Sequence, residues 1–335
     1  MSEQRAYSAA GVSQREAEDA VAALTRSLKL IDTGKPSRVV SLPNHYASVL
    51  RLDHRTGVAI GTDGVGTKMV VAERLGRFET IGIDCVAMNA NDLICVGAEP
   101  IAMVDFILCR HADPDVCGQI GVGLRRGAEL AGLEIPGGEI AQVGEIVDGW
   151  ELAGTAIGTV ALERIVDGAR IEPGDAVLGL PSSGLHANGY TLARRVLEPI
   201  PLDDERLGRP FGDVLLEPTE IYVPAVLELL DSAVDVRVLA HITGDGLNNL
   251  LRLAAPVGYE IEDPLPAPPV FGLIRELGEV SDEEMHEVFN MGCGFCVVVA
   301  PDDEQAAEAT ALLASHHPGA AVIGTVTDTP GEIRR

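Results

Sequence analysis

Eight consecutive residues, Gly61-Thr62-Asp63-Gly64-Val65-Gly66-Thr67-Lys68, combine a carboxylate, three glycines and a lysine directly after the apolar run Gly57-Val58-Ala59-Ile60. That composition suits an ion and phosphate site. Glycines let backbone N–H groups approach a ligand, a carboxylate can hold a hard cation, and lysine offers a point charge to phosphate. A glycine-rich turn that only reverses the chain would look the same. Spacing excludes two familiar phosphate motifs. A Walker A loop needs Gly, four residues and Gly-Lys-Ser/Thr, whereas these glycines fall at 61, 64 and 66 and the order is Thr67-Lys68. A dinucleotide fingerprint would need a third glycine where Met69 stands. Gly121, Gly123 and Gly127 miss that spacing by one residue and point instead to helix packing or turns.

Further acids share the apolar context. Asp84 follows Ile81-Gly82-Ile83, Asp92 lies within Met88-Asn-Ala-Asn-Asp-Leu-Ile94, and Asp105 interrupts Ile101-Ala-Met-Val-Asp-Phe-Ile-Leu108. A carboxylate within an apolar strand costs several kcal/mol unless it is paired, hydrogen-bonded or metal-bound. Singly, each acid also reads as a helix cap, a solvated turn or an edge residue. Together with Asp63 they suit Mg²⁺, which binds through one or two carboxylates plus substrate phosphates. Gly137-Gly138-Glu139, after Leu133-Glu-Ile135, adds a fifth acid.

Two more constellations follow apolar runs. Pro181-Ser182-Ser183-Gly184-Leu185-His186-Ala187-Asn188-Gly189-Tyr190 has the small hydroxyls, glycines and backbone N–H groups of an anion cradle at a helix start. His241-Ile-Thr-Gly244-Asp-Gly246 resembles it in style. His186 and His241 are acid/base candidates, with a structural hydrogen-bonding role as the alternative for each.

These residues must be positioned by a chain of 335 residues, long enough for two domains. Short apolar strands near 57–60, 80–83, 101–108 and 152–161 alternate with helical stretches near 65–75, 85–96 and 115–131. Ser13-Gln-Arg-Glu16 reads as a capping box for a helix running through Leu30, with Val21, Leu24 and Leu28 on one stripe. The charged, Gly/Pro-bearing stretch Asp167 to Asp175 predicts a boundary near 168, dividing domains 1–168 and 169–335. The second half predicts strands at 176–181, 236–241, 294–300 and 320–326. Its helices are expected at 189–197, 219–230 and 302–315, with a short one after the Ser281-Asp-Glu-Glu284 capping box, and Pro264 to Pro269 as a surface excursion. The fold class is α+β in two domains.

Composition narrows the partners. Fifty-one acids against 25 bases give a net charge of −26, which disfavours nucleic acid, a polyanion that calls for a basic face. No apolar run approaches the roughly 20 residues that cross a bilayer, and Met1 to Val12 lacks a secretory core, so a cytoplasmic protein is expected. Six scattered cysteines do not make a disulfide framework. Cys293-Gly-Phe-Cys296 is a CxxC, but Val297-Val298-Val299 follows it, so a buried strand is expected rather than a zinc or redox site.

In order along the chain, Gly61 to Lys68, Ile81 to Met88 with Asn91-Asp92, Val96-Gly-Ala-Glu-Pro100, Gly137-Gly-Glu139, Ser182 to Tyr190 and His241 to Gly244 resemble the phosphoribosylformylglycinamidine cyclo-ligases, the aminoimidazole ribonucleotide synthetases of purine biosynthesis. The resemblance runs from about Tyr7 to Val326. It implies a homodimer whose N-terminal sheets pair into a barrel, each beside an α+β C-terminal domain. It also implies ATP and Mg²⁺ as cofactors and a phosphorylated small-molecule substrate. ATP would phosphorylate the formyl amide oxygen of formylglycinamidine ribonucleotide, and an internal nitrogen would displace phosphate as the ring closes.

On this reading Asp63, Asp84, Asp92 and Asp105 hold metal, and Lys68, His186 and His241 are catalytic. Gly61, Thr62, Asp63, Gly64, Gly66, Thr67, Lys68, Asn91, Gly138, Glu139, Ser182, Ser183, Gly184 and Asn188 line the nucleotide and substrate sites. Departures stand out: Gly137-Gly-Glu-Ile-Ala-Gln-Val-Gly144 replaces the common Gly-Gly-Glu-Thr-Ala-Glu-Met-Pro, and Ser41 to Ser48 replaces a usual glycine-rich stretch. They mark a divergent subtype or a shifted substrate. The alternatives are a thiamine monophosphate kinase-like enzyme of the same superfamily and a non-catalytic nucleotide-binding relative.

Overall fold

The computed structural model describes residues 14–253 and 255–335. The Ser13 capping box and the segment before it lie outside the described residues. Helix α1 (Gln14–Leu28) leaves its Val21, Leu24 and Leu28 stripe exposed. Then follow β1 (Ser48–Arg51), β2 (Thr56–Gly64), α2 (Met69–Leu75), α3 (Ile81–Cys95), β3 (Glu99–Cys109), α4 (Pro114–Ala131), β4 (Glu134–Gln142) and β5 (Trp150–Ala161). The second half comprises β6 (Ala176–Pro181), α5 (Tyr190–Leu197), α6 (Phe211–Leu215), α7 (Val223–Asp231), β7 (Val236–His241), β8 (Gly258–Ile261), α8 (Pro269–Gly278), α9 (Asp282–Val288), β9 (Cys293–Val299), α10 (Asp303–His316), β10 (Ala321–Thr327) and β11 (Ile333–Arg334).

The first five strands form an open sheet of order β1-β2-β5-β3-β4, and the other six a sheet of order β11-β8-β10-β6-β9-β7. The architecture is α+β with two sheets, and among the described residues neither sheet closes into a barrel. Among the described residues no helix is long and apolar enough to cross a membrane.

One element departs sharply from the sequence expectation. Residues 80–83, expected as a strand, open α3. Ile81 and Ile83 favour a strand locally, but α3 is buried along nearly its whole length between the first sheet and β7 and α7 of the second half. A helix enclosed on several sides is apolar all round, so it shows no amphipathic period to betray it. Strand β4 was also missed. It carries Pro136, Gly137 and Gly138, which a sheet tolerates at an edge, and it pairs parallel to β3 as the last strand. Strand β2 runs through Gly64, so Gly61 to Gly64 is sheet rather than turn.

Helix α3 packs on α4 through bare backbone. A Cβ on Gly82 would meet Leu124 N at 2.1 Å and Ile120 O at 2.6 Å, and one on Gly123 would meet Glu79 O at 2.5 Å. Neither neighbour can yield as a side-chain tip could. Gly82→Ala is expected to cost about 3 kcal/mol, read as a lower denaturation midpoint; an unchanged midpoint would mean that the helices part freely. Strand β9 is buried throughout, and Cys293 and Cys296 sit in it as sheet residues with their thiols 3.5 Å apart.

Candidate functional site

Helix α3 organises the site through two side-chain stripes. At 100° per residue, Asp84, Met88 and Asn91 share one face, and Cys85, Asn89 and Asp92 another. The second stripe faces the first sheet. Register there puts Asp63 of β2 opposite Gly154 of β5, Gly154 opposite Asp105 of β3, and Asp105 opposite Gly138 of β4. All four positions point towards α3, because a Cβ on Gly154 would strike Asn89 Nδ2 and Met103 Sδ at 2.8 Å and Cys85 Sγ at 3.2 Å. The glycine therefore makes the space that Asn89 fills.

Asn89 grips the backbone of Asp63 from both sides. Its Oδ1 accepts from Asp63 N at 3.0 Å, and its Nδ2 donates to Asp63 O at 3.1 Å and Cys85 O at 2.9 Å. Asp63 Oδ1 accepts from Gly64 N at 2.7 Å. Burial, followed by the charge of Asp92, pushes the Asp63 carboxyl above the usual carboxylate range. Two carboxylates in one another's field, partly withdrawn from water, are the arrangement that a divalent cation relieves.

The Asp92 side chain, 20% exposed, is held by a fully buried His241, whose Nδ1 lies 2.8 Å from Asp92 Oδ1. On its other side, His241 Nε2 lies 3.5 Å from Asn91 Nδ2. The orientation of Asn91 is set by its partners: Oδ1 accepts from Tyr222 N at 3.0 Å, and Nδ2 donates to Glu220 O at 2.9 Å. An amide N–H thus faces Nε2, which leaves the Nδ1 proton directed at Asp92. Both ring nitrogens are engaged. Expected as an acid/base, His241 is buried here with Asp92 and Asn91 as its ring partners.

The first stripe meets the second half of the chain, and two expected site residues are withdrawn there. Lys68 and Asp84 form an ion pair with both side chains 0% exposed, Nζ lying 2.8 Å from Oδ2 and 2.9 Å from Oδ1. Lys68 also donates to His186 O at 3.1 Å and Glu217 O at 2.6 Å, while Asp84 Oδ1 accepts from Thr219 N at 2.8 Å and Thr219 Oγ1 at 2.7 Å. Lys68 therefore does not reach a phosphate, nor Asp84 a metal. Burial pushes Lys68 below the usual ammonium range and Asp84 above the usual carboxylate range, each opposed by the other's charge. Asn91 is likewise buried in the seam between the two halves and lines no ligand surface.

His186, also expected to be catalytic, is fully buried at φ 60°. Its Nε2 accepts from Ser183 N at 3.3 Å, and burial holds it well below the usual imidazole range, so it stays neutral inside its own loop. Ser183 Oγ donates to Pro218 O at 2.6 Å and Ser182 Oγ to Asn290 Oδ1 at 2.9 Å, so both hydroxyls serve the loop. Gly184 is buried, although no atom stands within 4 Å of where a Cβ would be, and Asn188 is half-buried with Nδ2 3.9 Å from Met88 Sδ.

Sheet alternation separates other candidates from the acids. Thr62 points to the outer face, bonding Gly154 O at 2.8 Å, and Glu139 lies on that outer face at the sheet edge, opposite Phe106. Asp105, half-buried above Gly138, stands two strands, about 10 Å, from Asp63 and apart from the Asp63–Asp92 pair. A Cβ on Gly138 would meet Asp105 Oδ1 at 2.3 Å. Gly61 lies beside Leu93, Gly66 turns the chain at φ 66° with its N–H on Glu151 Oε1 at 3.0 Å, and Thr67 Oγ1 touches Thr191 Oγ1 at 3.2 Å.

Sequence reasoning missed Asn89, Glu151, Thr219 and Asn290. Asn89 alone had a signal, as a polar residue four after Cys85 and three before Asp92 on one helix face; the others become visible only through contacts between distant segments. Among the described residues no three His, Cys, Asp or Glu side chains converge on one point.

Comparison with known proteins places both halves of the chain. Residues 44–160 match the AIR synthase related protein N-terminal domain, and 172–335 the corresponding C-terminal domain. The phosphoribosylformylglycinamidine cyclo-ligase of Methanothermobacter thermautotrophicus is 48% identical over 98% of this chain and 96% of its own. That of Pyrococcus furiosus is 46% identical over 98% and 96%. Among solved structures, AaThiL complexed with AMPPCP and TMP shares the fold at a TM-score of 0.67 with 15% identity, covering 93% of this chain and 91% of that one. Hydrogenase maturation protein HypE in complex with ATP aligns at 0.62 with 22% identity, over 85% and 83%. With both halves matched and nearly half of all positions shared along almost the whole length, the chain belongs to the phosphoribosylformylglycinamidine cyclo-ligase family.

Proposed function

We propose that this enzyme closes the imidazole ring of aminoimidazole ribonucleotide from formylglycinamidine ribonucleotide, using ATP. The observation that carries the reading is that Asp63 on β2 and Asp92 on α3 lie in one another's field, with Asn89, one turn from Asp92, holding the Asp63 backbone. The γ-phosphoryl group passes from ATP to the formyl amide oxygen. An internal nitrogen then attacks the formyl carbon, its C–O bond breaks, phosphate departs and a proton is lost.

Asp63 and Asp92 are the residues that would hold Mg²⁺, which supplies charge neutralisation at the phosphoryl oxygens. Asn89 fixes Asp63, and His241 fixes the Asp92 carboxylate. The half-buried Asn188 amide offers the substrate a polar contact. Phosphoryl transfer asks chiefly for such positioning. The outer face of the first sheet carries exposed Val104, Phe106 and Ile157, an apolar strip that a second copy would cover in a homodimer whose sheets pair into a barrel. The domains divide near 168, and a cytoplasmic setting suits the reaction.

Turnover with formylglycinamidine ribonucleotide and Mg·ATP decides the reading: ADP, phosphate and aminoimidazole product are expected. Nucleotide binding without ADP release or product would sink it. His241→Ala is expected to raise the Mg²⁺ concentration for half-maximal activity by about 10–100-fold, the usual cost of losing a partner that orients a metal ligand. A collapse of kcat at saturating Mg²⁺, with the Mg²⁺ requirement unchanged, would instead return His241 to proton transfer.

A further inference from the structure

Helix α5 packs across the seam between the two halves on the turn 66–68 that leads into α2, with a Thr67–Thr191 hydroxyl contact of 3.2 Å. Each helix carries an arginine beyond this contact: Arg194 on α5, three residues after Thr191 and so on its face, and Arg74 near the end of α2. Arg74 is exposed, whereas Arg194 is half-buried and its Nε is enclosed with no hydrogen-bond partner. Among the described residues neither guanidinium has an acid partner. Burial and then the neighbouring charge of Arg74 push Arg194 below the usual guanidinium range.

That juxtaposition runs against the rest of the molecule. Acids outnumber bases 51 to 25, and Arg77, Arg110, Arg164 and Arg206 each hold an aspartate. Two like charges side by side, one with an enclosed N–H lacking an acceptor, carry a cost that an anion removes. Guanidinium forks match phosphate oxygens, and two of them neutralise a dianion.

We propose that Arg74 and Arg194, with the Thr67 and Thr191 hydroxyls at the head of the seam, form a binding site for a phosphate monoester dianion. The site rests on the ring-closure reading only for the name of its ligand, the 5′-phosphate of the ribonucleotide substrate or a phosphate of the nucleotide. It does not involve Lys68, whose ammonium is consumed by Asp84.

The test uses the full chain with inorganic phosphate as probe. Wild type is expected to melt higher in phosphate than in chloride of equal ionic strength, and Arg74→Gln and Arg194→Gln to lose that difference. Arg74 is exposed, so its variant does not put folding at stake. In turnover, a rise of at least about tenfold in KM for the ribonucleotide, the loss of roughly one charge-assisted contact, with KM for ATP unchanged, assigns the substrate phosphate. A rise confined to ATP assigns the nucleotide. Equal phosphate protection in wild type and both variants, with both KM values unchanged, overturns the site. A wild type that fails to turn over but shows phosphate protection lost in the variants defeats the ring-closure reading and keeps the site.

Discussion

Lys68→Met is expected to destabilise the protein by about 3–5 kcal/mol, the cost of stranding one member of a buried ion pair. The ammonium is the common donor to Asp84, His186 O and Glu217 O, so its loss leaves a carboxylate enclosed with only Thr219 to satisfy it, and two carbonyls without their donor. Because Lys68 and Asp84 belong to the first half while the carbonyls and Thr219 belong to the second, the variant also loosens the seam that sets loop 182–188. Denaturant titration checks the magnitude. Adding Asp84→Leu to Lys68→Met should recover much of the loss, since replacing both members of a buried pair with apolar groups is often neutral. A single variant as stable as wild type would show that the pair contributes nothing to holding the halves together.

Asp63→Asn is expected to lower Mg·ATP turnover by at least about 100-fold, as removal of a preorganised electrostatic group does, while leaving the fold intact. The grip on residue 63 is through its backbone N–H and C=O to Asn89, which the substitution does not touch, and an asparagine Oδ1 can still accept from Gly64 N. Removing one of two mutually repelling carboxylates also relieves the charge that Asp92 places on Asp63. Steady-state kinetics across a Mg²⁺ series, beside a melting curve, separates the two effects. Wild-type kinetics in the variant would remove Asp63 from the site.

The sequence marks candidate residues one at a time, and the places where structure parts from that marking have two causes, a helix read as a strand and the parity of sheet neighbours. Asp63 and Asp92 were marked by acids beside apolar runs, and that signal survives because burying a carboxylate needs a reason. Asp84 and Lys68 gave the same signal for a different reason: they satisfy one another. Reading 80–83 as a strand hid this, because on a strand Asp84 belongs with Asp63, whereas on a helix it lies about 100° away from Cys85, Asn89 and Asp92. Thr62 and Glu139 were misplaced by parity, since sheet neighbours point to opposite faces.

What the sequence determined by itself was the family, the α+β class, the buried CxxC strand and the presence of costly acids along the first half, because composition, spacing and ordered motifs are local properties. Tertiary structure alone decided which acids remain available. Asp92 reaches Asp63 only because α3 lies across the first sheet over Gly154, and Asp84 is withdrawn only because α3's adjacent face meets Lys68 and Thr219 in the seam. A carboxylate's role depends on the nearest opposite charge, and residues 84 and 219 become neighbours only when the two halves pack.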